Sequence, residues 1–261
     1  MVKAKKRLGQ HFVFKKEILN NIISASGVTE TDTVVEIGSG MGTLTEALAE
    51  KVSRVVALEI DRDMIAKMQK IISRKSNVEI YHADALKYPY QHIGSPFKVV
   101  ANIPYYLTTP LLFRLLEFRP LLLTMTLMIQ EEVARRIVAA AGSKDYGVLS
   151  ITMQTQTIPE IMFKVPKEVF RPQPKVDSAV VFFDIPPTPP YAIADYSLFI
   201  RIVKSAFSQR RKMISNSLKT QNVTQQMLRD AGISPEIRPE MLSIEDFIRI
   251  TDTISLNCVN S

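Results

Sequence analysis

Between Thr33 and Ala101, short apolar runs alternate with amphipathic stretches, and the first run leads directly into Gly38-Ser39-Gly40-Met41-Gly42. No other feature constrains the fold as much, because this alternation is the pattern of β-α units building a parallel sheet. Thr33–Ile37, Arg54–Leu58, Val78–His82 and Phe97–Ala101 read as strands, with helices expected over Thr43–Lys51 and Arg62–Ser73. Leu121–Ile129 reads as a fifth strand followed by a helix from Glu131, and Asp177–Asp184 alternates like a β-ribbon, so an α/β sheet mixed at one edge is expected. Pro186, Pro187, Pro189 and Pro190 then form a break that neither helix nor interior strand accommodates, which places a domain boundary between residues 1–185 and 186–261. Beyond it, Ser197–Phe207, Gln209–Leu218, Thr224–Ala231 and Ile244–Ile254 have helical periodicity, the pattern of a small helical C-terminal domain.

Composition narrows the class. With 46% hydrophobic and 23% charged residues and no biased tract, the 261-residue chain reads as globular rather than disordered or fibrous. A single cysteine, Cys258, excludes an internal disulfide framework, and His11, His82 and His92 are too scattered for a metal cage, so no metal is expected. The most apolar stretch, Leu121–Ile129, is about half the roughly 20 residues a bilayer span needs, and no apolar signal core follows the basic start Met1–Arg7. A cytoplasmic protein without membrane contact is expected, and nothing demands more than a monomer.

The positive charge is concentrated. Residues 1–16 carry Lys3, Lys5, Lys6, Arg7, Lys15 and Lys16 without an acid, and residues 201–219 carry Arg201, Lys204, Arg210, Arg211, Lys212 and Lys219, again without one. Setting those twelve aside leaves 21 basic against 26 acidic residues, so the net +7 resides in two segments on a mildly acidic body. Either run alone could be a solvated face, but two of them point to a polyanion, whose phosphates release counterions when bound.

A glycine-rich strand-to-helix turn lets a ligand approach the backbone, and the helix start offers free N–H groups. Thr43 stands where the dinucleotide fingerprint needs a third glycine, which disfavours a nicotinamide oxidoreductase. Glu59 ends the second strand, 21 positions after Gly38, where a carboxylate can accept from both hydroxyls of a ribose. Asp84 follows the third strand and Asn102 ends the fourth. Ligands of open α/β sheets sit beyond the carboxyl ends of the strands, so Gly38, Glu59, Asp84 and Asn102 are expected to converge on one crevice.

At the fourth of these ends stands Asn102-Ile103-Pro104-Tyr105. An amine on an aromatic base is a poor nucleophile because its lone pair is delocalised into the ring. Two acceptors, the Asn102 carboxamide oxygen and the Ile103 carbonyl, can hold its two protons and localise the lone pair toward a methyl sulfonium. Pro104 stiffens the turn, and Tyr105 can stack on the base, a contact worth roughly 1–3 kcal/mol. The bland alternative is an ordinary Asn-Pro turn with a packed tyrosine.

These residues resemble the small-subunit ribosomal RNA adenine dimethyltransferases of the KsgA type, a family of class I methyltransferases that use S-adenosylmethionine. The matching segments are Leu8–Phe12, Glu36–Gly42, Glu59–Asp61, Asp84-Ala85, Asn102–Tyr105, Val169–Ser178 and Ser208–Lys212, in family order across nearly the whole chain. The resemblance implies a Rossmann-like methyltransferase domain over 1–185, with a basic N-terminal tail, and an RNA-contacting helical domain over 186–261. It implies that His11 and Val13 flank the methionine end of the cofactor, that Gly38 and Gly40 form its glycine turn, that Glu59 holds the ribose, and that Asp84 holds the adenine. Asn102 would then meet both cofactor and target amine, with Ile103 and Pro104 in the catalytic turn and Tyr105 and Phe170 sandwiching the target adenine. Lys5, Lys6, Arg7, Arg210, Arg211 and Lys212 are expected to hold RNA phosphates. The implied reaction gives two adjacent adenines two N6-methyl groups each, in an assembling small subunit, and releases S-adenosylhomocysteine.

Other readings remain open at this level: a large-subunit enzyme of the erythromycin-resistance type, an assembly factor whose binding matters more than its chemistry, and a DNA adenine methyltransferase. Which RNA is labelled separates the first, binding by inactive variants the second, and transfer to duplex DNA the third.

Overall fold

The computed structural model describes residues 9–209 and 212–259. In chain order its elements are β1 (Phe12–Val13), α1 (Lys16–Ser26), β2 (Thr33–Ile37), α2 (Thr43–Ala49), β3 (Arg54–Glu59), α3 (Arg62–Ile71), β4 (Val78–His82), β5 (Phe97–Asn102), α4 (Thr108–Leu116), β6 (Leu122–Gln130) and α5 (Glu131–Val138). There follow α6 (Val148–Gln156), β7 (Ile158–Val165), β8 (Phe170–Arg171), β9 (Ser178–Asp184), α7 (Tyr196–Ser208), α8 (Ile214–Ser217), α9 (Gln225–Asp230) and α10 (Ile244–Val259). The chain divides into two compact units, residues up to Ala134 with Ile158–Pro187, and Arg135–Thr157 with the chain from Thr188 onward.

The first unit is built on a seven-stranded sheet of order β4-β3-β2-β5-β6-β9-β7. β4 to β6 are mutually parallel, and β9 is antiparallel to both β6 and β7. The central strands read as continuous apolar runs because both their faces are covered. Val56, Val35 and Val99 stand side by side across β3, β2 and β5, and none is exposed. α1 packs on β5, β6 and β9 through Leu19, Ile22 and Ile23, at the spacing of one helix face. The order of strands reverses at β2, whose neighbours β3 and β5 lead outward in opposite directions, so a crevice opens beyond their carboxyl ends.

The second unit is helical, with a core that includes Tyr146, Ile151, Phe199, Ile202, Val203, Phe247 and Ile250. Its extent corrects the expected division at residue 186, because Arg135–Thr157 packs here rather than with the sheet. α6 explains why. Ser150, Thr152 and Thr155 bond back to the carbonyls of Arg136, Val148 and Thr152, so this polar-looking helix is buried among apolar neighbours. The helix expected over Gln209–Leu218 is shorter, Ile214–Ser217. Among the described residues no helix is long and apolar enough to cross a membrane.

Candidate active site

A cavity opens beyond the carboxyl ends of β2, β3 and β5 and is lined by His11, Gly38, Gly40, Glu59, Asp84, Asn102, Ile103, Pro104, Tyr105 and Phe170, all expected site residues. On the β2–β3 side the glycine turn is tied to the sheet by the Gly38 N–H, which donates to the Leu58 carbonyl at 2.8 Å. The ring of Phe12 lies across this turn. Gly40 has φ +56°, and a Cβ there would lie 3.0 Å from Phe12 Cε1, so only glycine allows both the turn and the close approach.

Glu59 is 5% exposed, and both its oxygens accept from backbone N–H groups, three in all. Its Oε2 accepts from the Gly40 N–H at 2.8 Å, and its Oε1 accepts from the N–H groups of Ile60 at 2.9 Å and Asp61 at 2.8 Å. Burial raises its pKa even against these donors. Glu36, one strand away, is buried with the Thr45 hydroxyl as its one donor among the described residues, and burial lifts its pKa from the ordinary 4.5 to about 8. Asp84 is half-buried, and its Oδ1 accepts from the Leu86 N–H at 3.0 Å.

The other side of the cavity is neutral and aromatic. The Asn102 Nδ2 donates to the His11 carbonyl at 2.9 Å. A carbonyl only accepts, so this bond fixes which way the carboxamide faces and leaves Oδ1 as its acceptor. The Ile103 N–H continues the β5–β6 ladder to the Met128 carbonyl at 3.1 Å. The Tyr105 hydroxyl shares a 2.9 Å hydrogen bond with the buried Ser178 hydroxyl, and its ring lies 5.9 Å from that of His11 at 26°. The His11 Nδ1 is 2.7 Å from the Pro172 carbonyl, while β1 pairs with β8 so that Val13 faces Phe170. The segment before α1 thus clasps both the catalytic-turn candidate and the loop that carries Phe170.

Val13 departs from its expected place. Side chains alternate along a strand, so with Phe12 lining the cavity Val13 faces the other way, 4% exposed in the apolar core beneath α1. Lys212 is exposed in the helical unit, its N–H bonded to the Gln209 carbonyl. Lys5, Lys6, Arg7, Arg210 and Arg211 lie outside the described residues.

A family model described as ribosomal RNA adenine dimethylase matches residues 1–256. The chain belongs to the ribosomal RNA adenine dimethylase family. A ribosomal RNA small subunit methyltransferase A from Caldanaerobacter subterraneus is 41% identical over 265 residues, covering 98% of each chain. Another of that name, from Shouchella clausii, is 42% identical over 96% of this chain and 89% of its own. Among solved structures, a dimethyladenosine transferase from Plasmodium falciparum aligns with a TM-score of 0.81 at 27% identity, over 92% of this chain and 96% of that one. The 23S rRNA methyltransferase ErmE aligns with a TM-score of 0.73 at 26% identity, over 94% of this chain and 99% of its own. The sheet and its helices have the class I methyltransferase architecture.

Among the other lining residues are Phe12, Ile60 and Tyr106, to which the sequence reading gave no role. Ile60 carried a readable signal, as an apolar residue between two acids just past a strand, and it is 48% exposed. Phe12 stood in the matching Leu8–Phe12 segment without a role of its own, and Tyr106 carried no signal, since an aromatic beside another tyrosine reads equally well as packing.

Proposed function

We propose that this dimethylase transfers methyl groups from S-adenosylmethionine to N6 of two adjacent adenines in small-subunit ribosomal RNA, within an assembling particle. The observation that carries this reading is the Asn102 carboxamide, which lines the cavity with its nitrogen committed to the His11 carbonyl and its oxygen left to accept. The small-subunit assignment draws on the relatives of about 40% identity that bear that name; ErmE, whose name specifies 23S RNA, is less similar.

The cavity fits the cofactor. Its β2–β3 side offers a glycine turn open to a ligand, a carboxylate at the end of β3, and the apolar wall of Ile60, Ala85 and Leu86 that a purine requires. Gly38 and Gly40 would hold the amino-acid end with His11, Glu59 the ribose hydroxyls through acceptor positions beyond its three backbone donors, and Asp84 the adenine amine. Bound there, S-adenosylmethionine supplies an electrophilic methyl carbon on a sulfonium.

The chain's own residues act on the target base. An adenine drawn from its stack into the cavity would lie against Tyr105, whose ring is pinned through Ser178, while Phe170, a wall residue only 1% exposed, would border the base rather than present an open face to it. Asn102 Oδ1 and the Ile103 carbonyl hold the two amine protons, which draws the nitrogen toward tetrahedral geometry. No general base is needed, because the amine becomes acidic as it is alkylated and its proton leaves to water. Catalysis is then positioning plus electrostatics. Lys5, Lys6, Arg7, Arg210, Arg211 and Lys212 would supply phosphate contacts, and charge reversal at Arg210 and Arg211 should flatten the salt dependence of RNA binding.

Incubating unmethylated small subunits with methyl-labelled cofactor tests the reading. Mass spectrometry should find two adjacent dimethyladenines in small-subunit RNA, and none with Asn102→Ala. Label confined to large-subunit RNA would reassign the substrate, and label in neither RNA would end the proposal.

A further inference from the structure

We infer that Tyr106 is the stacking platform for the nucleotide next to the target adenine, an inference that rests on the RNA-methylation reading above. Tyr105–Leu107 is a single 3₁₀ turn closed by the Leu107 N–H donating to the Pro104 carbonyl at 2.9 Å. Consecutive side chains of such a turn diverge by about a third of a revolution. Tyr105 is therefore directed to Ser178 inside, while Tyr106, on the same cavity, stands at its rim with 61% of its surface exposed.

Among the described residues the Tyr106 side chain has neither a hydrogen bond nor a ring partner. Isolated exposed aromatics are common and need no explanation. This one has built surroundings. A Cβ on Gly9 would lie 3.3 Å from Tyr106 Cδ1 and 3.5 Å from Pro104 Cβ, so the chain before β1 lies close against the ring and limits where it can turn. From Tyr106 an exposed stripe continues through Thr109 and Pro110 to Phe113, at the spacing of one helix face, which extends the apolar surface away from the cavity.

The chemistry of the substrate supplies the occupant. When one of two adjacent purines enters the cavity, the other loses that stacking partner and is left at the rim, one nucleotide away. A phenol ring one residue from the ring that holds the target offers it a new face. Because the neighbour of one adenine leaves the cavity on its 3′ side and that of the other on its 5′ side, a ring fixed at one place on the rim serves the two methylations unequally.

The test compares Tyr106→Ala, Tyr106→Phe and Phe113→Ala with the unaltered protein on unmethylated small subunits. Methyl groups at each adenine are counted by mass spectrometry, with cofactor affinity and thermal midpoint measured in parallel. Tyr106→Ala should lower kcat/KM for RNA by about ten-fold, the scale of one base–aromatic stack, and change the ratio of methylation at the two adenines. Cofactor affinity should stay unchanged. Tyr106→Phe should retain activity within about two-fold, and so should Phe113→Ala, which lies off the cavity. Wild-type rates and ratios in Tyr106→Ala would overturn the inference, as would equal losses in Tyr106→Ala and Tyr106→Phe. If the unaltered protein labels a different RNA, the small-subunit reading falls, and the same variant ratios on that RNA still decide the role of Tyr106.

Discussion

The two ends of the central sheet treat their buried acids in opposite ways. At the amino end, Asp32 accepts a 2.8 Å hydrogen bond from Lys98 Nζ, and the Thr29 N–H and hydroxyl donate to the same carboxylate. Burial pushes its pKa up, but these partners outweigh it and hold the carboxyl below its ordinary value. At the carboxyl end, Glu36 and Glu59 have only neutral donors among the described residues, and burial raises both. The difference separates a closed structural ion pair from an end where acceptors are retained at a cost in stability, the arrangement expected where a ligand is to be bound. Substitutions of cavity-lining residues at the carboxyl end should therefore act on chemistry, whereas Glu36, which does not line the cavity, and the amino-end pair should act on stability.

Asn102→Ala tests this division most severely. Removing one preorganised polar group from a transition state typically lowers kcat by about 10²–10³, and that range is expected here for methyl transfer measured in single turnover. Because Asn102 is only half-buried, its thermal midpoint should barely move. A variant that keeps wild-type kcat would break the functional half of the comparison. At the amino end, Lys98→Met strips Asp32 of its cation and should cost roughly 1.5–3 kcal/mol in denaturant unfolding, with kcat of the folded protein unchanged. A loss of kcat with unaltered stability would reverse the assignment of the two ends.

The same contrast explains what the sequence disclosed. β2, β3 and β5 were legible because buried parallel strands appear as nearly unbroken apolar runs, β4, a part-exposed edge strand, was legible from its β-branched and aromatic residues, and the crevice followed from where these strands end. β7 was not, because Pro159 argues against a strand; it survives there because β7 is at the sheet edge, where the missing N–H costs nothing. α1 was not expected, although Leu19, Ile22 and Ile23 share one helix face and Gly27, with φ +57°, ends the helix. The two-residue ribbon of β1 and β8 could not be read, since Phe12 and Phe170 are 158 positions apart and only tertiary pairing brings their strands together. Sequence thus located Asn102 and Glu59 but not the bond from Asn102 to the His11 carbonyl, which sets how the amide faces.

Titration sharpens the comparison, because the two ends carry opposite signs. Glu36 binds its proton more tightly folded than unfolded, so the stability this provides is greatest at acidic pH. It fades as pH rises from about 4.5 to about 8. Asp32 behaves conversely: its contribution is present above the ordinary carboxylate value and is lost as pH falls through its lowered one. Glu36→Gln should remove its part of the alkaline decline, roughly 1 kcal/mol per pH unit within that window, when unfolding is followed from pH 5 to 8. An undiminished slope would mean that Glu36 is ionised in the folded state.

The smallest effect distinguishes positioning from contact on the aromatic side of the cavity. Tyr105→Phe keeps the ring but removes the 2.9 Å hydrogen bond to Ser178, whose hydroxyl is buried and would lose that partner. The stability cost should be about 1 kcal/mol. If the hydroxyl serves only to hold the ring, kcat should fall no more than about three-fold, because burial of the ring already limits its motion. Tyr105→Ala, which deletes the face on which the base stacks, should lose at least ten-fold more than Tyr105→Phe. Equal losses in the two variants would move the function from the ring to the hydroxyl, and a neutral aromatic wall would no longer describe this side of the cavity.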